Sequence, residues 1–139
     1  MRRRMVSVMV VLATTVTPLG VANAAPATGK TELTITVSES GDTATDGTFT
    51  LSCNPVGGDH WAGADACKRL DTLRAGGMTG FPPVPPDAWC THQYGGPATA
   101  HIQGTWAGRK VDAVFDRNNG CEISRWDRLV PVLPQPPQA

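Results

Sequence analysis

This chain has no excess of positive charge: its 12 basic and 12 acidic residues cancel. Removing an N-terminal leader would take Arg2, Arg3 and Arg4 away with no acid, leaving 9 bases against 12 acids. No basic face remains for a phosphate backbone, which argues against nucleic acid as a partner. No second apolar run follows the N-terminal one, so the rest of the chain is expected to be soluble, with no membrane span. There is no G-x-S-x-G, so the usual serine-hydrolase elbow is missing. There is no C-x-x-C, and cysteines 14 and 31 residues apart do not match structural zinc spacing. No internal repeat is present. A cofactor-free, metal-free protein that is not an enzyme is the expectation.

What is present begins with "MRRR", followed by an apolar stretch over residues 5–21 and the small-residue triplet "ANA" ending at Ala24. That order predicts a secretory signal peptide, 1–24, cleaved before Ala25. No cysteine stands near that point, so lipidation is not expected. The remaining 25–139 suits one domain with one modest core, with a loose leader at 25–31 and a disordered proline-rich tail at 134–139. All four cysteines, Cys53, Cys67, Cys90 and Cys121, lie in this part. An even count in an exported small domain reads as two disulfides, and spacing alone leaves three pairings open.

"LTITV" alternates, with Leu33, Ile35 and Val37 on one side, and "TFTLSC" repeats the pattern with Phe49, Leu51 and Cys53. Both read as strands, and as an antiparallel pair. Ala66, Cys67, Leu70 and Leu73 then fall at helical spacing, with Gly76 and Gly77 available to end the helix. "AHIQGTW" and "RKVDAVFD" read as a hairpin joined by "AG", and "RWDRLVPV" as a possible last strand. Four or five antiparallel strands, one helix and a short second turn make an α+β domain.

Between the helix and the hairpin lies a long irregular stretch containing "FPPVPPDAWCTHQYGGP". Long loops in compact domains are often functional. The histidines do not build a triad. His101 falls in a strand, and His60 sits beside Asp59 in a glycine-rich loop, where solvation is expected. Thr91, His92 and Gln93 follow Cys90 directly, with prolines restricting the approach and the exit. A stiffened, polar, tethered segment suits capture in a protease cleft, and it suits equally an ordinary surface loop beside a structural disulfide.

The ordered pieces "LTITV", "FTLSCNP-GG-H--A--AC--L", "CTHQY", "G-W-G--V" and "FDRNNGCEI" run along nearly the whole mature chain. Together they resemble the secreted subtilisin inhibitors of streptomycetes, with the cysteines at matching spacing. The resemblance implies a five-stranded antiparallel sheet with two helices packed on one face, and disulfides Cys53–Cys67 and Cys90–Cys121. It implies a homodimer paired through the sheet, and inhibition of subtilisin-like serine proteases, less readily trypsin-like ones, by the substrate-like standard mechanism.

Matched residue by residue, the family's reactive segment falls on Cys90, Thr91, His92, Gln93 and Tyr94, with the scissile bond at His92–Gln93. His92 stands where the family usually has Met, Lys or Arg. A neutral imidazole suits a roomy apolar pocket better than one whose acid calls for a long cation. Gly95-Gly96-Pro97 replaces a shorter exit and predicts a loosened primed side, hence weaker inhibition or a shifted target. The alternatives are a non-inhibitory interaction module on the same fold, or a substrate of a secreted transglutaminase acting at Gln93, Gln103 or Lys30.

Overall fold

The computed structural model describes Gly20 and residues 29–137. The expected signal segment therefore lies outside the described residues apart from Gly20, as do residues 25–28 of the leader. The strands are β1 (Thr31–Ser38), β2 (Gly47–Cys53), β3 (Gly57–Gly58), β4 (Thr99–Trp106) and β5 (Arg109–Phe115), and the helices are α1 (Gly63–Ala75) and α2 (Gly120–Asp127). The sheet is antiparallel, in the order β3-β2-β1-β4-β5.

Register explains how one face becomes the core. Ile35 sits between Phe49 and Ile102, Leu33 opposite Leu51, and Ile102 opposite Ala113. The period of two puts Leu33, Ile35, Val37, Leu51, Ile102, Ala113 and Phe115 on the same side, and all of them are buried. The opposite face carries Thr34, Thr36, Thr48, His101, Gln103 and Asp112, and is polar apart from the exposed Val114. His101 and Asp112 meet there at 2.6 Å across β4 and β5.

Both helices cover the apolar face. Helix α1 buries Ala66, Cys67 and Leu70, the stripe read from the sequence, and Cys67 is bonded to Cys53 at the end of β2. Helix α2 is capped by Asn119, whose side chain accepts from the Glu122 amide at 3.0 Å. That bond satisfies an amide that the first turn leaves without a partner. Trp126 is the buried residue of α2, and the Arg125 guanidinium lies 4.1 Å above the Phe115 ring.

Four expectations change. Residues 29–31 are not loose: Lys30 and Thr31 bond to the β4–β5 turn, through Gly108 N to Lys30 O and Ala107 N to Thr31 Oγ1. "RWDRLVPV" is not a strand. It supplies the end of α2 and the turns after it, because its apolar residues follow the helical stripe into the core rather than alternating. The tail is not disordered through Pro137. Val132, Leu133, Pro134 and Pro136 are buried, and the Pro134 carbonyl accepts from the Trp126 indole at 2.8 Å. His60 is not solvated. It is 9% exposed, stacks on Trp61, donates from Nε2 to the Val132 carbonyl at 3.0 Å, and accepts at Nδ1 from the Ala62 amide. The returning tail covers it, a tertiary effect that its glycine-rich neighbourhood does not reveal.

Candidate functional site: a loop held at both ends

Residues 79–98 join α1 to β4 without helix or strand. Three attachments hold them to the body. At the approach, Arg125 donates from Nε to the Pro82 carbonyl and from Nη2 to the Phe81 carbonyl, at 2.9 and 3.2 Å, while Nη1 reaches Val114 O at the sheet edge. Phe81 is buried and stacks on Trp106 with ring centroids 4.9 Å apart, so the loop starts from the core.

In the middle, Cys90 is bonded to Cys121 in the first turn of α2. Beside that bond, the Gly120 amide donates to the Thr91 carbonyl at 3.0 Å. A Cβ at residue 120 would lie 2.0 Å from Thr91 Oγ1 and 3.3 Å from Thr91 Cβ, so a larger residue there would have to displace the Thr91 side chain. At the exit, the Gly95 amide donates to the Arg117 carbonyl at 2.7 Å, and Arg117 Nε donates to the Gly95 carbonyl at 3.0 Å. The exit is therefore tied to the body at Gly95, which opposes the loosening expected from Gly95-Gly96-Pro97. Glycine at 95 serves contact rather than freedom, since a Cβ there would sit 2.8 Å from Ile123 Cγ1.

Between these attachments the chain is presented to solvent. Thr91, His92, Gln93 and Tyr94 are all exposed, Tyr94 to 66%. Thr91 Oγ1 donates to Gln93 Oε1 at 3.2 Å, passing over the residue between them. The sequence-matched residues Cys90 to Tyr94 are thus brought together in one run with its ends fixed and its centre outward. Of the other glutamine candidates, Gln103 is exposed on the polar sheet face. Lys30 pairs with Glu32 at 2.7 Å.

Sequence reasoning missed three residues. Trp89 is completely exposed, an unusual state for the largest side chain, and it stands immediately before the tethered cysteine. Its signal was its place next to Cys90. Arg117 and Arg125 carried no signal, because a charged residue in a turn or a short helix reads as solvated. Among the described residues, no group of three or more His, Cys, Asp or Glu side chains is arranged to hold a metal, and no cysteine is free. No described helix is long and apolar enough to cross a membrane.

Comparison with known proteins gives three findings. A family model described as "Subtilisin inhibitor-like" matches residues 27–119. Subtilisin inhibitor-like protein 1 of Streptomyces cacaoi is 40% identical over 79 residues, covering 55% of this chain and 69% of that protein. Among solved structures, Streptomyces caespitosus sermetstatin, in its complex with Bacillus licheniformis subtilisin, aligns over 74% of this chain and 99% of that one. The identity there is 24% and the TM-score 0.45.

Proposed function

Because the chain belongs to the subtilisin inhibitor-like family, we propose that it is a protease inhibitor that presents the bond His92–Gln93 to subtilisin-like serine proteases as a slow substrate. The observation that carries this reading is the run 91–94, exposed throughout while the residues on either side of it are bonded to the body.

The physical argument follows from that arrangement. A protease serine attacks the His92 carbonyl, helped by its own histidine and oxyanion hole. His92 enters the primary pocket, Thr91 and Cys90 lie on the acyl side with Trp89 beyond them, and Gln93 and Tyr94 lie on the amine side. The loop is already ordered, so docking loses little conformational entropy, and a bound pre-organised segment forfeits less of its contact energy. Cys90–Cys121 keeps both halves of a cut loop in one molecule, so the new amine stays at high effective concentration near the acyl carbon.

The same reading makes the protein secreted, with residues 1–24 as its signal. Two disulfides and no free cysteine fit an oxidising compartment. It also makes the protein a homodimer through the uncovered sheet face. That face is polar apart from Val114, so the interface would be wet and modest in affinity, and sedimentation over a concentration series reads it directly.

Titration of subtilisin with the purified mature protein tests the function. Activity should fall linearly to an endpoint at one loop per enzyme. Activity that is unchanged, with the protein left intact, would instead indicate a non-inhibitory interaction module.

A further inference from the structure

The disulfide holds the acyl side of the reactive bond, and a different residue holds the amine side. Arg117 is bonded to Gly95 twice, by its carbonyl to the Gly95 amide and by Nε to the Gly95 carbonyl. Its Nη1 donates to Asp127 Oδ1 at 2.6 Å, and its guanidinium carbon lies 5.7 Å from the centre of the Trp126 ring. The side chain is only 7% exposed. Both of its anchors belong to α2, and Trp126 is fully buried. Gly95 is thereby fixed on its donor to the main chain of Arg117, and on its acceptor to a side chain that is itself fixed to the core.

We propose that Arg117 is a positioning residue for the leaving amine, holding the chain two residues beyond Gln93 whether the bond His92–Gln93 is intact or cut. This rests on the inhibitor reading above. After cleavage, Cys90–Cys121 still joins the halves, but it does not restrain Gln93 locally. Without the Arg117 side chain, the Gly95 carbonyl loses its partner, one main-chain bond remains at the Gly95 amide, and the new end opens more readily through Gly95 and Gly96. With Arg117 in place, only Gln93 and Tyr94 move.

That difference acts on religation. In the acyl-enzyme, the Gln93 amine attacks the His92 acyl carbon and the C–N bond forms. The ester bond to the protease serine breaks, and the proton lost by the amine passes to the serine oxygen. Water competes for the same carbon and leaves a His92 carboxylate. An amine held close favours resynthesis over loss.

The test is the ratio of cut to intact protein at equilibrium with a catalytic amount of subtilisin, read by intact mass. It is compared for wild type, Arg117→Met, Arg117→Lys and Asp127→Asn, each checked for a native melting transition. Arg117→Met and Arg117→Lys should both shift the ratio toward cut protein by about tenfold, the worth of one hydrogen bond from a charged donor. Lysine keeps the charge near Asp127 but lacks the fork that reaches Gly95 and Asp127 together, so it should not rescue. Asp127→Asn should shift the ratio less, and it keeps the test open if either Arg117 variant fails to fold.

Amide exchange at Gly95 separates the two possible failures. An inhibitor whose ratio and Gly95 protection are unchanged in the folded variants overturns the role of Arg117 and leaves the inhibitor reading standing. A wild type that does not inhibit, yet loses Gly95 protection in Arg117→Met, overturns the inhibitor reading, and the amine role with it, while confirming the anchor.

Discussion

Cys53–Cys67 and Cys90–Cys121 span sequence separations of 14 and 31. Chain entropy alone makes the longer one slightly more stabilising, about 4 against about 3 kcal/mol. Their surroundings differ far more than these values. Cys53 and Cys67 are buried at 7% and 6% exposure, where β2 and α1 already pack through Leu51, Ala66 and Leu70. Cys90 and Cys121 are half-buried, and the residues flanking Cys90, Trp89 and Thr91, are exposed rather than packed into the core. One bond joins elements that the core would keep together anyway. The other supplies order where the core supplies none. Similar entropic stabilisation therefore serves two ends, and only the second bond should affect inhibition in the folded protein.

Breaking Cys90–Cys121 gives the largest expected effect on function. The double substitution Cys90→Ser with Cys121→Ser should weaken subtilisin inhibition at least about a hundredfold, because several loop residues must then be ordered on docking. Stoichiometric titration measures it, and the same protein should be progressively cleaved. The matching substitution, Cys53→Ser with Cys67→Ser, should lower the unfolding free energy by about 3 kcal/mol in a denaturant titration. It should leave inhibition unchanged wherever the protein remains folded. If both pairs affect inhibition equally, the contrast between the two bonds is wrong.

Gly120→Ala sharpens the comparison on a smaller scale. Helix propensity alone predicts a gain in stability of up to about 1 kcal/mol. The contact with Thr91 predicts that the loop is pushed outward and that inhibition weakens by about tenfold. Inhibition constants and melting temperatures of the same variant should thus move in opposite directions or independently.

The smallest effect concerns His60, on the side of the molecule held by the core. Burial holds its proton affinity below the ordinary histidine value, with the Val132 bond and the Asp59 charge opposing in part. The unfolded chain therefore takes up the proton first as pH falls below about 6.5, and stability is lost across that window down to the folded value. Above that window the contribution is fully present. Melting temperature against pH should show this loss in wild type and lack it in His60→Asn, with inhibition of subtilisin unaffected in the folded protein.

The parts of the fold that were legible in the sequence are those where a local period meets one buried face. Leu33, Ile35 and Val37 gave β1 to within two residues, and Ala66, Cys67 and Leu70 gave the buried stripe of α1. The disulfide pairing was not legible from spacing and came only with the family resemblance. Helix α2 has eight residues, too few for a clear period, although Asn119 three residues before Glu122 was an available capping signal. His60 and the tail at 134–137 were misread, and Arg117 went unread, for one shared reason. Each is polar or proline-rich locally and is buried by contacts outside its own segment: His60 by Val132, Arg117 by Asp127 and Trp126, and the tail by the Trp126 indole. The exposed run 91–94 was legible as a segment, but the anchor on its exit was not, since two glycines before a proline signal freedom unless something else holds them.

The most direct test of the account is the intact mass of the protein after brief incubation with subtilisin at mildly acidic pH, before and after reduction. The account predicts a single added water with the halves still joined, and on reduction two fragments that part between His92 and Gln93. Cleavage at any other bond, or continuing degradation without inhibition, would contradict it.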